Sequence, residues 1–379
     1  MASTPMDVDE PSLSTIAPAL NITRTLGVNV PPTTKVKDVV AKFRPTKLFP
    51  RDDVKDVNPQ PYILSIDFDD PGELCMTSES DETIQIYNVK EGRHDKTLLS
   101  KKYGVKLAKF THSQGGIIYA STKQNDAIRY LATGDNSFIR YFEGHEAVVT
   151  NLALHPGSDN FVSCSLDNTV RLWNLGTKQW TAKLLLQNPT LAAWDPSGTI
   201  FAIGCPGTAS ILLYDYRNYE KGPFTIIDVL RVWQPAEPEH AFKGWTALHF
   251  SNNGKHILLG CQNGGHLLLD AFDGSLKAVL KRSVGGRAKR LAPGETEGGN
   301  AESSGDCCFS PDGRFVLGGG NMDLAVWDTQ SSPNEKGVLE PEYLLGDRRE
   351  TAVVEYNPRF NMLTTADQEL LFWLPDNQN

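Results

Sequence analysis

The sequence has no C-x-x-C pair, no stretch near the roughly 20 consecutive apolar residues of a membrane-spanning helix, and no excess of positive charge. Without paired spacing, the six cysteines (Cys75, Cys164, Cys205, Cys261, Cys307, Cys308) suggest neither a zinc ribbon nor a redox couple. Four lie in apolar, strand-like stretches such as Asn160–Cys164, so they are read as reduced core residues suited to the cytosol or nucleus. Lys and Arg number 37 against 46 Asp and Glu, a net charge of −9, which excludes a whole-surface field for nucleic acid. Asp7, Asp9 and Glu10 stand where a secretory signal needs basic and then apolar residues, so no export is expected, and Asn21-Ile22-Thr23 is read as a chance sequon. Phosphate-loop, paired-histidine zinc and nucleophile-elbow motifs are also missing. His145-Glu146 begins a zinc motif, but Val149 occupies the place of its second histidine. No catalysis, metal or cofactor is expected, and His94, His112, His240 and His256 are read as solvated or structural.

What the 379 residues do contain is a repeat. Its clearest copy runs from Val149 to Leu175: an alternating strand, a Pro156–Asp159 turn, the strand Phe161–Ser165, a turn at Asp167-Asn168, and a strand ending in Trp173. The first turn recurs at Asp70–Gly72, Asp195–Gly198, Ser251–Gly254 and Ser310–Gly313, where proline presets φ and glycine supplies its positive values. The closing aromatic recurs at Tyr87, Tyr130, Tyr214, Trp327 and Trp373, with Leu269 in the fifth unit. Early spacings of about 41 to 43 residues match four-stranded blades. Later ones are longer, so insertions are expected at about 218–244 and 281–305. The count is seven.

Gly144-His145, Ser163, Asp167 and Trp173 in the third unit resemble the signature of a WD repeat. That resemblance implies a buried hydrogen-bond relay from indole through hydroxyl and imidazole to carboxylate, rather than a hydrolase triad. Asp81 and Asp367 stand six residues before Tyr87 and Trp373, as Asp167 does before Trp173, and are expected to be its equivalents. Gln124, Thr208 and Asn321 occupy that place in degenerate units. The expected fold is therefore all-β, a seven-bladed WD-repeat β-propeller over 39–376, between a disordered arm (1–38) and a short tail (377–379).

The seventh unit ends with too few residues for a fourth strand. The strand-like run Val39–Phe49 belongs to no other blade, so it is expected to complete the last sheet and leave no open edge. Pro45 suits an outermost strand, where no ladder donor is missed. The basic half of the later insertion, Lys281-Arg282 and Arg287–Arg290, is read as a solvated loop in preference to a nuclear-import or RNA-touching patch. Trp233 is expected to pack on the blades.

Ser100–Val105, Asp126–Leu131, Phe138–His145, Tyr214–Arg217, Lys221–Phe224 and Phe372–Pro375 resemble the WD-repeat adaptor family shared by COMPASS-type histone methyltransferase complexes and the mRNA cleavage and polyadenylation machinery. The resemblance spans roughly Val39 to Asp376. It implies a nuclear, non-catalytic, monomeric propeller within larger complexes. Its implied partners are a SET-domain methyltransferase subunit, cleavage and polyadenylation factor subunits and a phosphatase module. It also implies a link to RNA polymerase II, with nucleic acid met only indirectly and no membrane. Lys101, Lys102 and Tyr103, with Arg140 and Tyr141, are nominated as partner-binding residues, against the plainer reading that they hold neighbouring blades together. A general interaction propeller outside chromatin and an RNA-binding propeller are the alternatives.

Overall fold

Short alternating strands punctuated by turn residues leave the chain little scope for long helices, and a computed structural model shows what they build instead. It describes residues 35–51, 60–232, 244–261, 265–281, 306–320, 323–346 and 351–376. Seven separate sheets form, each with a four-stranded antiparallel meander. In the first six the strands follow chain order from the inside outward. Blade 1, for example, comprises Ile63–Phe68, Leu74–Glu79, Thr83–Asn88 and Arg93–Leu99.

The closing residues identified from the repeat all lie on third strands and are buried: Tyr87, Tyr130, Trp173, Tyr214, Leu269, Trp327 and Trp373. The apolar core is divided accordingly into seven clusters, one in each gap between neighbouring blades. Each sheet buries both faces, which explains why strands such as Gly116–Ala120 read as continuous apolar runs.

The last sheet, Val353–Tyr356, Leu363–Ala366 and Leu370–Pro375, takes its outer strand from Phe43–Phe49. Phe43 pairs with Pro375 and Phe49 with Leu370, with a register shift beginning at Pro45. The sequence expectation of closure holds for this strand, but Val36–Lys42 is helical rather than extended. That short helical turn buries Val36, Val39 and Val40 beside Trp373, in the gap between blades 6 and 7. Phe49 packs against Tyr87 and Phe372 in the gap between blades 7 and 1. One segment thus seals both sides of the seventh blade.

Two segments differ from the sequence reading. The stretch expected as an insertion from 218 supplies the fourth strand of blade 4, Thr225–Asp228, before a single helical turn. In the long connection within blade 6, Val338–Leu339 runs parallel to Leu276–Lys281 and adds a fifth strand to blade 5. Trp233, His240, Asn321 and the basic stretch 282–290 lie outside the described residues.

Candidate functional site

In blade 3 the backbone hairpin places Asp167 at its apex, and the four signature residues form one hydrogen-bonded chain. Trp173 Nε1 donates to Ser163 Oγ at 2.8 Å. Ser163 Oγ lies 2.6 Å from His145 Nε2, and His145 Nδ1 lies 2.9 Å from Asp167 Oδ2. With Ser163 accepting from the indole, its own proton goes to Nε2, so Nδ1 carries the proton offered to Asp167. Burial lowers the His145 pKa and outweighs the pull of Asp167, which keeps the ring in the neutral form this chain requires. Burial alone would raise Asp167, but donors from His145, Thr169 and the Glu146 backbone hold it well below the usual carboxylate range. The His145 side chain is about 1% exposed, so no substrate can reach this Ser-His-Asp set.

Asp81 occupies the same apex in blade 1 and accepts from Thr83 Oγ1 at 2.6 Å, as Asp167 does from Thr169. Its further partner is Arg51, which also pairs with Glu79. Asp367 is displaced. Leu363 pairs with Trp373 in blade 7 across ten residues, whereas Phe161 pairs with Trp173 in blade 3 across twelve. Counting back from the tryptophan therefore leads to a different point of a shorter hairpin. There Trp373 Nε1 donates to Thr365 Oγ1 at 2.8 Å, so Thr365 takes the part of Ser163.

The nominated partner-binding residues separate. Tyr103 and Tyr141 both face Arg129, whose guanidinium carbon lies 3.5 Å and 4.9 Å from their ring centroids, with Phe138 at 5.8 Å. Arg129 is buried and bonded to Ser121 and Asn125, and among the described residues it makes no ion pair. This aromatic clasp ties the junction of blades 1 and 2 to the outer strands of blade 2. Arg140 points elsewhere, donating to the Leu175 carbonyl of blade 3. Lys101 and Lys102 remain exposed. Sequence reasoning missed Arg129, although a cation inside the apolar strand Ile128–Ala132 was its signal.

At one face, the turns between first and second strands are stitched together. His112 bridges the Asp70 carboxylate (2.7 Å) and the His155 carbonyl (2.8 Å). Two acceptors require two ring donors, and these contacts raise the His112 pKa against the effect of its desolvation. His155 in turn lies 3.1 Å from the Gly198 carbonyl, and a Cβ at Gly198 would meet the imidazole at 2.4 Å. Asn252 donates to the Pro311 carbonyl, and Asn357 to that of Gly72.

Inside this rim is a cavity of about 380 Å³, lined by the first strands of every blade except the sixth. Four of its ionisable residues come from one register position, just before the aromatic that ends a first strand: Asp67-Phe68, Lys109-Phe110, His249-Phe250 and Glu355-Tyr356. Lys109 pairs with Asp67 at 2.8 Å. Burial opposes the Lys109 charge, but Asp67 and Glu355 outweigh it and its pKa rises. Burial raises the Glu355 carboxyl to about 7 and depresses His249 to about 4. These residues were absent from the sequence reading, though aligning the repeats would have put them in one column.

Fold and site together define a closed WD-repeat propeller with a buried structural relay and a rigid, turn-lined face. The WD domain, G-beta repeat family matches residues 136–174 and 300–328. The chain is 36% identical over 356 residues to COMPASS component SWD2 of Saccharomyces cerevisiae, covering 93% of this chain and 99% of that protein. It is 34% identical to WD repeat-containing protein 82 of Drosophila melanogaster (90% and 98% covered) and 32% to Set1 complex component swd2 of Schizosaccharomyces pombe (86% and 96%). The chain belongs to this family of WD-repeat proteins.

Proposed function

We propose that the protein is a non-catalytic scaffold subunit of a COMPASS-type histone methyltransferase complex, acting in the nucleus. The observation that carries this reading is similarity along nearly the whole chain, 93% of it, to a relative named as a COMPASS component. A second named Set1 complex component supports it. The finer reading is that the complex methylates the fourth lysine of histone H3. The same subunit then also serves the cleavage and polyadenylation machinery, including its phosphatase module, and links both to RNA polymerase II. The non-catalytic part rests on the enclosure of His145, Ser163 and Asp167, which are committed to one another and to Trp173. A closed ring suits an adaptor, because rigid sheets hold loops in place at little ordering cost.

Affinity capture of the full chain from nuclear extract, with and without nuclease, tests the proposal. SET-domain methyltransferase subunits and three-prime-end processing subunits should copurify in nuclease-resistant fashion. Capture of neither set refutes the adaptor reading, and capture of the first alone refutes its second half. Recovery that disappears with nuclease and falls steeply with salt would mark an RNA-binding propeller instead.

A further inference from the structure

The cavity behind the rim holds four carboxylates (Asp67, Asp70, Asp195 and Glu355) and two cationic groups, Lys109 and His112. Three carboxylates are satisfied within the protein. Asp67 accepts from Lys109 and the Phe110 amide, Asp70 from His112, and Asp195 from Ser197 and the Ile200 amide. Glu355 differs: among the described residues its carboxylate receives no hydrogen bond, and it opens into the cavity. Low-dielectric walls such as Phe68, Phe110 and Trp194 focus its field. The carboxylates do not converge as a three-ligand metal set, since among the described residues only His266, Asp306 and Cys307 do so, elsewhere in the fold. An organic cation is therefore favoured over a metal ion. The volume, about 380 Å³, lies near the lower end of the roughly 300–1,000 Å³ of small-ligand sites.

We propose that this cavity receives a single protonated side chain, an arginine guanidinium or a lysine ammonium, presented by an extended segment of a partner protein, with Glu355 as its counter-ion. The ring of stitched turns suits such an occupant, because it is preformed and leaves room for one side chain while the flanking peptide lies across the rim. The proposal stands on the cavity and is independent of which complex holds the protein. Binding strengthens as Glu355 ionises near pH 7. The charged groups acting on that carboxyl are Lys109 from blade 2 and Asp67 from blade 1, the thiols of Cys75 and Cys308 lie within its field, and His249 from blade 5 lines the same cavity.

The test titrates the full chain at pH 8 with two blocked tripeptides, acetyl-Ala-Arg-Ala-amide and acetyl-Ala-Lys-Ala-amide. Their neutral counterparts contain citrulline and acetyl-lysine, and binding is read by calorimetry and ligand-observed NMR. At least one cationic peptide should bind about ten-fold or more tightly than its neutral counterpart, and the two arms decide which side chain is preferred. Glu355→Gln should reduce that affinity about ten-fold, with its fold checked by circular dichroism. Asn252→Lys, at an exposed rim position that adds a repelling charge, should also weaken binding and decides the matter if the first variant does not fold. Equal binding of charged and neutral peptides, no binding at all, or binding indifferent to both substitutions overturns the proposal.

Discussion

Replacing Glu355 with glutamine should stabilise the protein in a pH-dependent way, and the size follows from the cavity. In the unfolded chain this carboxyl ionises around its ordinary 4.5, while burial holds it protonated in the folded state up to about 7. Between those values the folded state carries more bound proton than the unfolded state, so stability falls as pH rises through the window. At about 1.4 kcal/mol per pH unit the full cost of the folded carboxylate approaches about 3.5 kcal/mol above pH 7, while at pH 5 it is only about 1 kcal/mol. Glutamine keeps the shape and removes the charge. The stability difference between Glu355→Gln and the parent should therefore shift in the variant's favour by about 2.5 kcal/mol between pH 5 and pH 8. Denaturant titrations at the two pH values measure this, compared at matched m-values so that only stability changes. His249 titrates in the parent and the variant alike. A difference that stays constant with pH, or shifts the other way, would show that the Glu355 carboxyl is not held protonated by its surroundings.

Four further outcomes follow from the same geometry. Ser163→Ala strands the Trp173 indole and the His145 imidazole at once and should cost about 1–3 kcal/mol, read as a lowered denaturation midpoint. Phe43→Ala removes a fully buried ring from the strand that closes the last blade and should cost about 3–5 kcal/mol, while truncation through Phe49 should abolish the cooperative transition altogether. Arg129→Lys keeps the charge but gives up the planar face that Tyr103 and Tyr141 cover, so a loss of about 1–2 kcal/mol is expected by denaturant titration. His112, whose pKa is raised by its contacts, contributes stability below its unfolded pKa that disappears as pH rises through the folded one. His112→Gln should therefore be more damaging at pH 5.5 than at pH 8.5 in thermal melts.

The repeat was legible because it is local: a turn, a hairpin and a buried closing side chain leave marks within about 40 residues of one another. Closure was legible by elimination, since one strand-like run had no blade and one blade lacked a strand. The helical turn before it was not, because Val36, Val39 and Val40 read equally well as strand or helix over so short a run. The parallel pairing of Val338–Leu339 with blade 5 left no local signal, because its partner lies about 60 residues away with the whole inner hairpin of blade 6 between them. Arg140 and Tyr141 part for a simpler reason: neighbours on a strand face opposite sides, so Tyr141 joins Arg129 while Arg140 reaches Leu175 of blade 3.

The channel residues present the most instructive case, because the information was local but had to be read across repeats. Each first strand has one position before its terminal bulky residue, occupied in turn by Asp67, Lys109, Ala153, Ala193, His249, Cys308 and Glu355, and all of these but Cys308 line the cavity. Taken singly, each fits an ordinary strand. Taken as a ring, they place two carboxylates, one ammonium and one imidazole around a shared space with small side chains between them, and the ammonium can neutralise only one of the carboxylates. A fold that encloses its core between blades has no packing need for charge at this radius. The excess carboxylate therefore destabilises the propeller near neutral pH, and a cation that enters the cavity would offset that cost. The same measurement at pH 8 with and without the bound cationic peptide should then narrow the stability gap between Glu355→Gln and the parent, whereas at pH 5 it should leave the gap where it was.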